Sequence, residues 1–133
     1  MIRELATYIA AQVPLVLGTT LHVGYFPDDA PDDCSMVRHG GGDVKHRSAS
    51  YSREDPLAQV ITRAEVQSVA LAAARAIFDA LRHKTNITLP QVDGGTIYHV
   101  YTIDAGLPQS IGRDELGRFE YSATFQMRLE EAQ

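Results

Sequence analysis

Apolar side chains recur at helical spacing in two segments of the chain, one at its beginning and one near its middle. The first segment predicts an amphipathic helix of about ten residues that ends before Pro14. The second predicts a helix over residues 65–83, and its wide, alanine-rich apolar side should lie flat and close against a sheet. Thr62 and Glu65 have the spacing of a capping box, although a helix that begins near Gln67 fits equally well. The apolar positions are Ile2, Leu5, Ala6, Ile9 and Val13 in the first segment, and Val66, Val69, Ala70, Ala73, Ile77, Phe78 and Leu81 in the second.

Apolar and polar residues alternate elsewhere, often with β-branched or aromatic side chains, which predicts strands. The alternation is clearest from Phe119 to Glu130. One face of this last strand should be buried, while the other is wet or meets a polar partner. Further strands are predicted at residues 19–25, 34–39, 57–62, 86–89 and 96–104.

Two polar, glycine-containing segments interrupt these elements. Residues 40–55 predict an exposed and partly mobile loop. Residues 105–118 join the last two strands and form a loop that is long for a hairpin, which is often a sign of function. The order of elements predicts one α+β domain over residues 1–133, with a mostly antiparallel sheet and two helices packed on one of its faces.

Composition narrows the class of protein. The chain has 133 residues, of which 44% are hydrophobic and 22% charged, as in ordinary globular domains. Its 12 Lys and Arg against 17 Asp and Glu give a net charge of −5, which argues against binding nucleic acid by neutralising phosphates. A single cysteine excludes an internal disulfide framework. With no apolar run near the ~20 residues of a membrane span and no signal-peptide pattern, we expect a soluble protein from a reducing cytoplasm, with no membrane partner.

The residues do not build a catalytic or metal centre. The His-Gly-Gly-Gly segment at residues 39–42 resembles an esterase oxyanion loop, but the Gly-x-Ser-x-Gly nucleophile elbow is missing. The five histidines lack metal-binding spacing on a helix. Cys34 should pack as a small apolar residue. We therefore expect neither enzymatic activity nor a cofactor.

One turn is densely acidic. Its carboxylates lack the spacing of a calcium-binding loop, and two prolines stiffen it. Such a turn is more often a solvated cap or a docking patch for a basic partner. The acidic turn consists of Asp28, Asp29, Asp32 and Asp33.

Three further segments are informative when taken together. Residues 24–34 (GYFPDDAPDDC) form a strand that ends in a Pro-Asp turn before a second strand. Residues 59–63 (QVITR) lead into the alanine-rich helix, which ends in IFDAL at residues 77–81. Residues 112–122 (GRDELGRFEYS) form a charged turn that enters the last strand. With the N-terminal helix, these segments resemble the tail terminator proteins of long-tailed bacteriophages, including phage minor capsid proteins, over nearly the whole chain.

The resemblance implies a structural role in the virion. Tail terminators form a ring, usually a hexamer, on the head-proximal end of the finished tail tube. The ring stops tube polymerisation and offers a surface to the head-completion proteins of the connector, and DNA later passes through its lumen. The implied partners are further copies of the chain, the tail tube protein, a head-completion or connector protein, and double-stranded DNA in transit. Assembly would take place in the host cytoplasm.

Simple geometry agrees with a ring of six. A domain of this length has a radius of gyration of about 14 Å and a diameter of about 35 Å. Six such bodies leave a hole of about 30 Å, which admits a duplex about 20 Å across, whereas three leave only about 5 Å. A negative net charge also suits a conduit, because an acidic wall does not hold phosphates.

Within this resemblance we expect four groups of contact residues. The charged turn should set the register between like subunits, and the variant Arg113→Glu/Arg118→Glu should fold but fail to form rings. The acidic turn should dock a basic patch on the tube or connector, and Arg63 should pair with a neighbour's carboxylate. The polar side of the last strand is either an ordinary solvated face or faces an interface or the lumen. The charged-turn residues are Arg113, Asp114, Glu115 and Arg118, and the strand residues are Glu120, Gln126, Arg128 and Glu130.

Two other functions remain open from the sequence. The chain is similar in size and style to other head–tail connector components, such as head–tail joining or tail completion proteins. A small-ligand-binding or catalytic α+β domain, with residues 40–55 as a lid, is the more distant alternative.

Overall fold

The computed structural model describes residues 1–40 and 53–132, so most of the loop predicted at residues 40–55 lies outside the described residues. The described residues form two helices and eight strands. In chain order these are α1 (Ile2–Gln12), β1 (Leu21–Val23), β2 (Cys34–His39), β3 (Arg53–Glu54), β4 (Leu57–Ala64), α2 (Gln67–Leu81), β5 (Thr85–Thr88), β6 (Ile97–Ala105), β7 (Gln109–Arg113) and β8 (Phe119–Ala132).

All eight strands belong to one sheet, whose main order is β1-β2-β4-β8-β6-β5. The strand β8 is the centre of the sheet. Its first half pairs with β4 and β7, and its second half pairs with β6 and β3. The pair β1–β2 is parallel and the other pairs are antiparallel. The predicted mostly antiparallel α+β architecture is therefore confirmed.

Both helices pack on the same face of the sheet and share its core. Leu5 and Ile9 of α1 and Leu81 of α2 are fully buried, as are Phe125 and Leu129 of β8. Complete burial of each such side chain contributes about 1.5–3 kcal/mol to stability. The apolar positions that alternate along β8 are the ones that lie in this core. The alanines of α2 let the helix approach the sheet closely, as predicted. Ala70 and Ala74 are buried against Ala64 and Tyr121.

The start of α2 differs from one reading of the sequence. Val66 is the N-cap and no side chain caps the helix, so the capping box of Thr62 and Glu65 does not form. Thr62 lies instead within β4, where its hydroxyl hydrogen-bonds that of Ser35 at 2.9 Å. Val66 and Val69, which the apolar stripe placed in the core, are 55% and 43% exposed. The stripe was wider than the face that the helix buries.

The prediction of one long loop over residues 105–118 is wrong. This segment contains β7, which forms a hairpin with β8 through a short turn. All five residues of β7 are exposed, so this edge strand lacks the apolar alternation that marks a half-buried one. Its register shifts between Ser110 and Gly112, and Gly112 has a φ of +100° that favours glycine.

Candidate interaction surface

Charged side chains gather at one end of the sheet, where β2 begins, β4 ends and β8 begins. Strand register places Cys34 beside Arg63, and Arg63 beside Glu120. The acidic turn precedes β2 and the charged turn precedes β8, so both turns arrive at this end. We call it the charged end, and it comprises Asp32, Asp33, Arg63, Glu65, Asp114, Arg118 and Glu120.

Arg118 joins the two turns within one subunit. Its Nε lies 2.6 Å from Asp114 Oδ2, and its Nη1 lies 3.2 Å from Asp32 Oδ1. Asp114 Oδ1 also accepts hydrogen bonds from the backbone N–H groups of Leu116 and Arg118. Burial alone would raise the pKa of Asp114, but the hydrogen bonds from Arg118 outweigh it and lower the pKa.

These contacts within the chain limit which residues of the charged turn can bind another subunit. Arg118 and Asp114 have partners in their own chain, whereas Arg113 and Glu115 are exposed. The guanidinium of Arg113 lies 4.3 Å from the centre of the Phe119 ring. A role in subunit register stays a prediction. The double variant with Arg118→Glu is not a clean test of it, because a glutamate there would face Asp114 and Asp32.

Arg63 is almost completely buried, with 6% of its surface exposed. Its guanidinium stacks on Phe26 at 4.3 Å, and Nη2 donates a hydrogen bond to the carbonyl of Pro31 at 3.1 Å. Arg63 therefore holds the segment that leads into the acidic turn against the sheet. This burial favours a role inside the subunit, and pairing with a neighbour's carboxylate stays a prediction.

The acidic turn is exposed and carries excess negative charge. Within the part of the chain that the structure describes, Asp32 is its one member in an ion pair. Asp33 Oδ1 instead accepts the backbone N–H of Glu65 at 3.1 Å. A hydrogen bond with Asp32, together with the charges of Asp32 and Asp33, raises the pKa of Glu65. Crowded carboxylates of this kind favour a cationic partner.

The side of the sheet away from the helices carries a polar ladder. Arg38 Nε donates to Gln59 Oε1, and Gln59 Nε2 donates to Ser122 Oγ, each at 2.8 Å. The ladder crosses β2, β4 and β8. By register Met36 and Ile61 belong to the same side, and both are buried. This side is therefore polar in part rather than throughout.

The polar residues predicted on β8 largely have partners in their own subunit. Gln126 Nε2 donates to the carbonyl of Asp55 at 2.8 Å, and Arg128 Nε lies 3.4 Å from the carboxylate of the same residue. Glu130 accepts a hydrogen bond from the hydroxyl of Tyr101. Burial raises the pKa of Glu120, and the negative charge of Asp114 raises it further. The alternation along β8 is confirmed, and a lumen or interface role for this side stays a prediction.

Other candidates from the sequence are placed as follows. Cys34 is buried, as predicted, and burial raises the pKa of its thiol. His22 is buried beside an open groove of about 620 Å³ between α1 and β1, and its Nε2 has no partner among residues 1–40 and 53–132. His39 and His83 are exposed, while His46 lies outside the described residues.

The described residues contain no group of three or more side chains arranged to hold a metal ion. None of the described helices is long and apolar enough to cross a membrane.

The sequence did not predict that large apolar residues at the start of α2 would be exposed. Val66, Val69 and Leu71 are 55%, 43% and 43% exposed. The available signal was the excess width of the apolar stripe, which exceeded what one helix face can bury against a sheet.

Comparison with known proteins adds an independent line of evidence. A family model described as bacteriophage tail terminator protein matches residues 8–131. A solved chain from the virion of a native gene transfer agent (GTA) particle is 21% identical, with a TM-score of 0.57, and the match covers 96% of this chain and 93% of that one. A second solved chain is 14% identical, with a TM-score of 0.54 and coverages of 98% and 89%. At these identities the structural matches show the fold. No curated protein is significantly similar in sequence.

Proposed function

The chain belongs to the bacteriophage tail terminator family, and from that membership we propose that it forms a hexameric ring on the head-proximal end of the tail tube. The ring ends polymerisation of the tube and offers the surface to which the head attaches. The observation that carries this proposal is the family match, which spans residues 8–131 and so includes the second half of α1, all of α2 and all but the last residue of the central strand. The proposed role is structural and includes no enzymatic activity.

The sheet suits the wall of such a ring. The strand β8 packs its apolar side under the helices and presents polar groups on the other side. Its one outward cation, Arg128, lies 3.4 Å from the carboxylate of Asp55, so its charge is balanced. A surface without excess positive charge does not retain phosphates, which supports the passage of a DNA duplex along it.

The tip of the β7–β8 hairpin is the part of the charged turn that is free to contact a neighbour. Leu116 is 76% exposed, and Arg113 and Glu115 are exposed beside it. Asp114 and Arg118 fix the backbone of this tip, so it is presented as a rigid feature. We assign the tip to contacts with an adjacent subunit or with the end of the tube.

The proposal is tested with the purified chain, alone and mixed with isolated tail tubes. Particle masses and negative-stain class averages should show a six-fold ring with a central hole of about 30 Å, attached to one end of each tube. Tubes imaged without the chain are the control. A chain that stays monomeric and leaves both tube ends bare would contradict the proposal, and attachment to isolated heads instead of tubes would indicate a head–tail joining protein.

A further inference from the structure

The outer side of α2 is a helix face without a partner in the described structure. Ala72 and Ala76, four residues apart on the side opposite the buried residues, are exposed, and Leu71 at the flank of this side is 43% exposed. Exposing apolar side chains to water is unfavourable. Contiguous exposed apolar surface therefore commonly marks a contact with another protein. The helix packs on β4 and β8 through its buried side, so its outer side points away from the sheet.

The carboxyl-terminal half of this face carries net positive charge. Arg75 and Arg82 both approach one carboxylate, that of Asp79, at 3.8 Å and 3.5 Å. Their side chains are 53% and 46% exposed, so both guanidinium groups are open to a further acceptor. Lys84 follows the end of the helix and adds another positive charge.

A second surface of the same molecule has the complementary character. Val16 and Tyr25, which flank the edge strand β1, are 61% and 67% exposed. Asp28 and Asp29 follow them in the acidic turn, and both are exposed and form no ion pair with another of the residues that the structure describes. This surface lies at the β1 edge of the sheet, whereas α2 covers its centre.

We propose that the outer side of α2 docks a second copy of this chain, with Leu71 and Ala72 against Tyr25 and with Arg75 and Arg82 facing Asp28 and Asp29. Apolar groups then meet apolar groups, and opposite charges oppose one another. Because the two surfaces are different patches, the contact is head-to-tail, and such contacts generate rings when their rotation closes. The inference rests on the proposed function and specifies the contact from which its ring is built.

Charge reversal tests the contact. The acidic-side variant is Asp28→Lys/Asp29→Lys, and the basic-side variant is Arg75→Glu/Arg82→Glu. Each variant alone opposes like charges, so its self-association, measured by sedimentation velocity over a concentration series, should weaken by at least about tenfold relative to the wild type. An equal mixture of the two variants should assemble again, in alternating order, because each reversed surface then meets its complement.

The quadruple variant, Asp28→Lys/Asp29→Lys/Arg75→Glu/Arg82→Glu, is the control matched in net charge, and it should assemble like the wild type. Thermal unfolding of each variant checks that the subunit is folded, and Leu71→Gln should weaken association without reversing any charge. Three results would overturn the inference: a wild type that stays monomeric, single-side variants that assemble normally, or a mixture and quadruple variant that do not recover. Normal assembly of the acidic-side variant with loss of tube binding would place the acidic turn against another protein. The readout is independent of tail length, so this contact and the terminator role can fail separately.

Discussion

At the scale of single residues, the arginines show how far charge patterns can be interpreted. Arg63 directly follows the strand predicted at residues 57–62, Arg118 belongs to the charged turn, and both were expected to reach a neighbouring subunit. In the structure Arg63 is buried under Phe26, and Arg118 contacts Asp32, 86 positions away along the chain. Their charges were visible in the sequence, but their partners depend on turns that meet only after the sheet has formed.

The turn around Asp114 should contribute measurably to stability. Asp114→Ala removes the acceptor for two backbone N–H groups and for the Arg118 guanidinium. We expect the free energy of unfolding, measured with chemical denaturant, to fall by about 1–2 kcal/mol. Glu115→Ala, in the exposed neighbouring position, should change it by less than about 0.5 kcal/mol. Equal effects of the two substitutions would show that these hydrogen bonds do not stabilise the hairpin.

The stabilisation by Asp114 should also depend on pH. Its pKa is lowered in the folded state, so the contribution is present above the unfolded value of about 3.9 and is lost as the pH falls through the lowered pKa. The difference between wild type and Asp114→Ala should therefore shrink in strong acid. A difference that stays constant down to the lowest pH at which the protein folds would contradict the assignment.

Glu65 should have the opposite effect. Its pKa is raised by Asp32 and Asp33, so its ionised form opposes folding. Glu65→Gln should raise the thermal midpoint near pH 7, and the gain should disappear as the pH falls below the raised pKa and the wild-type carboxyl takes up a proton. High salt should reduce the gain as well, since Glu65, Asp32 and Asp33 are all exposed. Glu115→Gln removes an equal charge at the hairpin tip and serves as the control, and a gain that persists in acid would argue against carboxylate repulsion.

At the scale of elements, periodicity succeeded where one face of an element is buried. The strand β2 was predicted at its observed bounds, and α1, β4, β6 and β8 within two or three residues, because each places apolar side chains in the core at the spacing of a helix or a strand. The strand β7 was missed because it is exposed on both sides. The apolar stripe on α2 also misled the core prediction. Val66 and Val69 are apolar in the sequence, but the subunit leaves both exposed.

The close approach of α2 to the sheet gives a prediction at this scale. Ala74 is buried against Ala70, Ala64 and Tyr121, so Ala74→Leu should overpack this contact and lower the free energy of unfolding by about 1–3 kcal/mol. Ala72→Leu makes the same change on the exposed outer side and should alter stability by less than about 0.5 kcal/mol. Comparable losses in both variants would mean that α2 does not lie as close to the sheet as described.

At the scale of the whole molecule, the fold class, the family and the structural role in the phage tail were accessible from the sequence, and the family match confirms the resemblance. The contact surfaces were less accessible. An interface residue differs from an ordinary surface residue in what it meets in another molecule, and the pattern along one chain does not record this. The proposed contact between α2 and the β1 edge became visible only when exposure and charge were placed together on the folded surface.

Tail length tests the central claim most directly. A phage that carries a stop codon in this gene should produce overlong or irregular tails without heads, because nothing ends polymerisation of the tube. Electron microscopy of the lysate, with the gene supplied in trans as the control, measures the length distribution. Tails of normal length beside DNA-filled heads would contradict the terminator role and would make the chain a joining protein that acts after termination.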